Sequence, residues 1–204
     1  MTILANQISV KLFTRRAANQ DLLIPIFHRW IREDLVAEHL LIDVADYRHV
    51  PRGPGIMLIA NHAHLWMDEA EPGVGLIYAR RRDPLGDLEV KVREALTWVA
   101  ALGAQLEAED GFAGVFDPSR VELQIRSRLS SAETFEEGRS ALATVTDALA
   151  EEIWGPGSEL EFGGDPRRPV TIRLRAANRF ATATELAKAV AHERKARPSL
   201  SVLA

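Results

Sequence analysis

One order of parts occurs twice in this chain, and that repetition limits the fold more than any other feature. Ile8 to Ala60 and Val121 to Arg175 each read as an alternating strand, an amphipathic helix and a hairpin. The hairpins match best: Pro51-Arg52-Gly53-Pro54 in the first unit lines up with Pro166-Arg167-Arg168-Pro169 in the second. The two first strands and the two hairpins are offset by nearly the same interval. A repeat of this kind points to a fold built by duplication, and it lets the units be compared residue by residue.

Strand side chains alternate between faces, while helical apolar residues recur every three or four positions. In the first unit Ile8, Val10 and Leu12 alternate with Ser9, Lys11 and Phe13. A helix capped by Asn19 or Asp21 is expected to run to about Leu40, burying Leu23, Phe27, Ile31 and Leu35. Leu41 to Val50 and Pro54 to His64 read as strands around the proline turn. Leu65 to Gly73 reads as an acidic loop, and Val74 to Ala79 as a strand that the second unit lacks. Asp83 is expected to cap a helix with Pro84 at its first position, burying Leu88, Val92, Ala95, Val99, Leu102 and Leu106.

The second unit opens with Val121, Leu123 and Ile125. A helix begins at the Thr134–Glu137 capping box and stops at Gly155-Pro156, with Phe135, Leu142, Val145, Leu149 and Ile153 inward. Leu160 to Gly163 and Val170 to Ala176 make its hairpin, and Thr182 with Glu185 caps a last helix. The expected class is therefore α+β: two ferredoxin-like pseudo-repeats, βαβββα then βαββα, with an antiparallel sheet and helices on one face. They cover about residues 8–109 and 120–196, joined by a linker at about 110–119. That linker is short, so residues 1–204 are expected to form a single domain.

With 204 residues, 47% of them hydrophobic and 26% charged, the chain can bury one such core. A net charge of −4 argues against general nucleic-acid or anionic-membrane binding. The lack of cysteine removes disulfides, thiolate metal sites and cysteine nucleophiles, and it suits a reducing compartment. No apolar run approaches the roughly 20 residues of a membrane helix, and Met1 to Gln7 lacks the pattern of a secretory signal. The expectation is a cytoplasmic protein with neither a membrane nor a nucleic-acid partner.

Comparing the units separates their sheet faces. In the second, Val121, Leu123, Ile125, Val170, Ile172 and Leu174 face the helices. Arg126, Arg128, Thr171, Arg173 and Arg175 face away, with Glu122, Glu159 and Glu161 as partners for the arginines. In the first, the pattern assigns Met57 and Ile59 to the helix face and Phe13, Tyr47, Ile56, Leu58 and Ala60 to the other. A sheet apolar on both faces must be covered on both. The expected function is a non-catalytic binding or self-association module using Phe13, Tyr47, Ile56 and Leu58, with a second copy or a protein as partner.

One chemical constellation lies in the same unit. If Val50 pairs with Gly55, Asp43 falls opposite His62 and Leu41 opposite His64. Two imidazoles and a carboxylate suit zinc or another divalent ion, leaving a position for water. The alternative function is a metal-dependent hydrolase built on His62, His64 and Asp43, with Asp68 or Glu69 as fourth ligand or base. The plain structural alternative is a carboxylate–histidine pair at the sheet edge. No cofactor beyond a divalent metal is expected: His28, His39 and His192 lie on helices, the first two off the buried stripe and the last near the chain's end, and read as solvated, not as haem ligands.

The segment LLIDVADYRHVPRGPGIMLI, Leu40 to Ile59, is similar to one in an uncharacterised family of bacterial proteins of about this length. The resemblance implies a bacterial protein and brings no activity, cofactor or catalytic residue.

Overall fold

The computed structural model of the chain describes residues 7–36, 39–51, 53–70, 72–81, 86–126, 132–163, 168–177 and 179–196. The strands are β1 (Ile8–Thr14), β2 (Leu41–Asp46), β3 (Ile56–Ala60), β4 (Ala63–Asp68), β5 (Gly75–Arg80), β6 (Phe116–Ile125), β7 (Glu159–Phe162) and β8 (Val170–Arg175). The helices are α1 (Leu23–Arg32), α2 (Leu88–Glu107), α3 (Ala132–Trp154) and α4 (Ala183–Ala196). All eight strands join one antiparallel sheet in the order β2-β3-β4-β5-β1-β6-β8-β7. The α+β class and the antiparallel sheet are as expected.

The two hairpins that share a proline turn motif hold different places in this sheet. β1 and β6 are central neighbours. Beyond β6 come β8 and β7, and beyond β1 come β5 and β4. The β4–β5 hairpin thus stands to β1 as β7–β8 stands to β6, and β2–β3 lies farther out. The sequence reading ran one strand from Pro54 to His64 and a loop from Leu65, so it missed β4, because Trp66 and Asp68 look like loop residues. Together with His64 they alternate with Ala63, Leu65 and Met67, which are buried, so residues 63–68 are a strand with one apolar face.

The helices cover one face. α1 packs on β2 and β3, α2 on β1 and β5, α3 on β7 and β8, and α4 on β6 and α2. Val10, Leu12, Leu58, Leu76, Tyr78, Val121, Leu123, Ile172 and Leu174 meet the helices in one continuous core. Gly103 lets α2 settle: a Cβ there would stand 3.0 Å from Leu12 and 3.3 Å from Ala183 of α4. At the end of α2, Glu107 accepts the Ala183 backbone N–H at 2.9 Å and so caps α4.

Helix ends depart from the sequence reading in two places. α1 stops at Arg32, eight residues short of Leu40. Asp34 enters the left-handed region (φ 48°), and the N–H groups of Asp34 and Leu35 close back on the carbonyls of Ile31 and Trp30. The inward set is Leu23, Ile26, Phe27 and Trp30, while Leu35 is exposed. α2 is capped by Asp87, whose carboxylate accepts the Val90 N–H at 3.0 Å; the expected cap, Asp83 with Pro84, lies outside the described residues. Thr182 and Glu185 do cap α4: the hydroxyl accepts the Glu185 N–H at 3.2 Å, and the carboxylate accepts that of Ala181 at 2.8 Å. Arg128, the Thr134 side chain and Pro166-Arg167 are outside the described residues.

Candidate functional site

The face of the sheet away from the helices carries no helix among the described residues. Register fixes what stands there. On β3 and β4, Ile59 lies beside His64 and Met57 beside Trp66. On β5, Ala79 lies beside His64 and Ile77 beside Trp66. The row through Trp66 and Ile77 continues into Lys11, Glu122, Arg173 and Glu161. One face therefore changes along its width, from Met57, Ile59, Trp66, Ile77 and Ala79 to Glu122, Gln124, Thr171 and Arg173.

Several of these side chains are buried without any helix above them, because long cationic side chains lie flat over their neighbours. The Arg120 guanidinium stands 4.7 Å from the centre of the Phe13 ring, and that of Arg126 stands 5.8 Å from Trp66. Lys11 is 3% exposed and donates to the Asp68 carboxylate at 2.6 Å and to the Ala70 carbonyl at 3.2 Å. In the second half Arg173 bridges Glu122 at 2.8 Å and Glu161 at 3.0 Å, the cross-strand pairing expected from sequence.

A groove of about 390 Å³ opens on the apolar half of this face. Met57, Trp66 and Ala79 give it an apolar lining, and Gly53 and Pro54, at the turn of the β2–β3 hairpin, contribute to its wall. At its other end stand His64, Arg80, Arg81 and Arg126. Arg80 pairs with Glu94 of α2 at 2.9 Å. Asp68, the only carboxylate among its described lining residues, is the partner of Lys11. Burial, and then the charge of Arg81, push the His64 imidazole below its ordinary pKa. Its Nδ1 is buried with no hydrogen-bond partner among the described residues. The hairpin turn is held by Gly55 (φ 69°), where a Cβ would collide with the Gln20 amide oxygen.

The four expected interface residues do not share this face. Ile56 and Leu58 are buried in the main core beneath α1, 0% and 2% exposed, whereas Phe13 lies on the open face under Arg120. Tyr47 follows β2 and is 37% exposed. The face assignment of β3 was displaced by one residue, which exchanges every side chain on a strand. Met57 and Ile59 belong to the open face instead.

The metal constellation depends on the same displaced register. Asp43 pairs with Ile59, not His62, and its carboxylate accepts the Val44 N–H at 2.8 Å. His62 sits in the β3–β4 turn, its Nε2 3.2 Å from the Asn61 amide nitrogen, while His64 is on β4. Asp68 is bound to Lys11. Among the described residues no three His, Asp or Glu side chains converge as a metal-binding group.

Sequence reading also missed a buried histidine. His39 precedes β2 and is 4% exposed, with Nε2 3.3 Å from the Tyr78 hydroxyl and its ring 4.1 Å from that of Trp98. Burial, with the charges of Arg80 and His62, lowers its pKa to about 4, and burial raises that of Tyr78 to about 12. His28 is exposed as expected, and the His192 side chain is outside the described residues. The signal that could have located the groove is the alternation across residues 63–68: read as a strand, it places Trp66 beside Met57.

No helix among the described residues is long and apolar enough to cross a membrane. No protein-family model, curated protein or solved structure matches this chain.

Proposed function

We propose that this protein is a non-catalytic binding module that takes its ligand on the open face of the sheet, in the groove over β3, β4 and β5. The observation that carries this reading is the apolar strip Met57, Trp66 and Ala79, open to a groove large enough for a small molecule and not covered by any described helix. The reading keeps the expectation that the second face of the first half does the binding and changes the residues that do it. We also read β1–α1–β4–β5–α2 and β6–α3–β7–β8–α4 as copies of one unit, with β2–β3 added to the first. The shared order of elements and their matching places around the β1–β6 pair support this. On that reading the groove stands where the added hairpin closes over the sheet.

A thermal-shift screen of small apolar and anionic compounds tests the proposal. Compounds that raise the melting temperature of the native chain should lose that effect on Met57→Glu, since only a ligand bound to the folded groove stabilises it. Equal shifts in both proteins, or no shift with any compound, would contradict it.

One observation favours self-association through a different surface. β2 is an edge strand, and Leu40 and Ile42 on it or next to it are 66% and 54% exposed. Exposed apolar edges invite pairing with another strand. A second copy of the chain joined along β2 should give a concentration-dependent dimer by light scattering, abolished by Ile42→Lys. A monomer at every concentration would reject it.

A further inference from the structure

Building on the binding reading above, we infer that His64 sets the chemistry of the ligand: a small apolar molecule with an acceptor oxygen, such as a ketone or ester carbonyl, which seats on Met57 and receives the His64 Nε2–H. Register brings both parts together. His64 and Trp66 are two residues apart on β4, so their side chains share the open face about 7 Å from one another. Ile59 and Ala79 flank His64 on the neighbouring strands, and Met57 and Ile77 flank Trp66. Trp66 and Ala79 are 6% and 7% exposed, so the accessible apolar seat is Met57, with Pro54 in the wall beside it. Neither Ile59 nor Ala79 has a side chain that can hydrogen-bond an imidazole, so His64 is a polar group set among apolar neighbours.

The two ring nitrogens have different surroundings. Nδ1 is buried with no partner among the described residues, whereas Nε2 is not sealed in this way and opens on the groove. Burial, and then the charge of Arg81, disfavour the protonated ring, so at neutral pH the imidazole carries one proton. A proton on Nδ1 would be a buried donor with nothing to receive it, and orphaned buried N–H groups are rarer than orphaned acceptors. The proton therefore belongs on Nε2. A ligand apolar throughout would strip solvent from that donor and leave it unpaired, the costly outcome for a polar group, whereas an acceptor oxygen pairs with it.

The test uses two probes of nearly the same shape, 2-acetylnaphthalene and 2-isopropenylnaphthalene, one with a carbonyl where the other has a methylene. Each is titrated into the full chain and followed by amide NMR. The ketone should bind about fivefold more tightly, the worth of one neutral hydrogen bond. His64→Phe should bring the two affinities together by weakening the ketone alone, and His64→Gln, which keeps an N–H donor, should retain the preference. Nitrogen NMR of the histidine rings in the native chain should place the His64 proton on Nε2, a readout that needs no variant. A proton on Nδ1, equal affinities in the native chain, or a preference that survives His64→Phe would overturn the inference; loss of both probes in Met57→Glu would then still leave the groove as a binding site. If neither probe binds, or if Met57→Glu leaves both affinities unchanged, both readings fall.

Discussion

The two ends of the sheet treat the same face in opposite ways. From β6 to β7 the open face is a ladder of charges in which Arg173 holds Glu122 and Glu161. From β1 to β3 the ladder gives way to Met57, Ile59, Trp66, Ile77 and Ala79, with arginines only at the end of the strands. A one-sided sheet is stable with a polar open face, as the β6–β7 end demonstrates. The apolar strip is thus not demanded by the fold, and that is the physical reason for placing binding there. Lys11 marks the boundary, buried between Ile77 on one side and Glu122 on the other.

The strongest way to break the comparison is to attack the boundary and the face assignment. Lys11→Ala leaves Asp68 without its partner and should cost about 3 kcal/mol in urea unfolding. Arg173→Ala, in a pair more open to water, should cost about 1 kcal/mol. Equal losses would mean that the two ends do not differ. Leu58→Ala should also cost about 3 kcal/mol, because it opens a cavity in the main core, whereas Ile59→Ala on the open face should cost about 1 kcal/mol. The reverse order would restore the face assignment first read from sequence.

His39 supplies a pH dependence that belongs to the helix-covered side. Its folded pKa of about 4 lies below the ordinary histidine value of 6.5, so the unfolded chain binds a proton that the folded chain rejects. Stability from this group is fully present above pH 6.5 and declines as pH falls through 4, by up to about 3 kcal/mol. His39→Gln should flatten that slope in urea titrations between pH 6.5 and 4; an unchanged slope would assign it to other groups. The smallest expected effect is that of Ile42→Lys on monomer stability, about 0.5 kcal/mol or less for an exposed edge position.

Much of this arrangement was legible in the chain. The helix-facing residues of β1, β6 and β8 follow from simple alternation, and the Thr182–Glu185 cap from its spacing. Two kinds of information were not local. The turn between β2 and β3 is longer than the proline pattern suggests: the Tyr47 N–H donates to the Gly55 carbonyl at 2.8 Å and Asp46 stands opposite Ile56, so Asp43 falls opposite Ile59 and away from His62. The strand at 63–68 was hidden because one of its faces holds His64, Trp66 and Asp68, polar or amphipathic residues suited to a binding surface and equally common in loops.

The central claim is that ligand meets the β3–β5 end of the open face and not the β6–β7 end. Amide NMR of the uniformly labelled chain, titrated with 8-anilinonaphthalene-1-sulfonate, tests it most directly. The account predicts shifts confined to the amides of Met57, His64, Trp66, Ala79, Arg80, Arg81 and Arg126. Shifts centred on Gln124, Thr171 and Arg173, or on the β2 edge around Ile42, would contradict it.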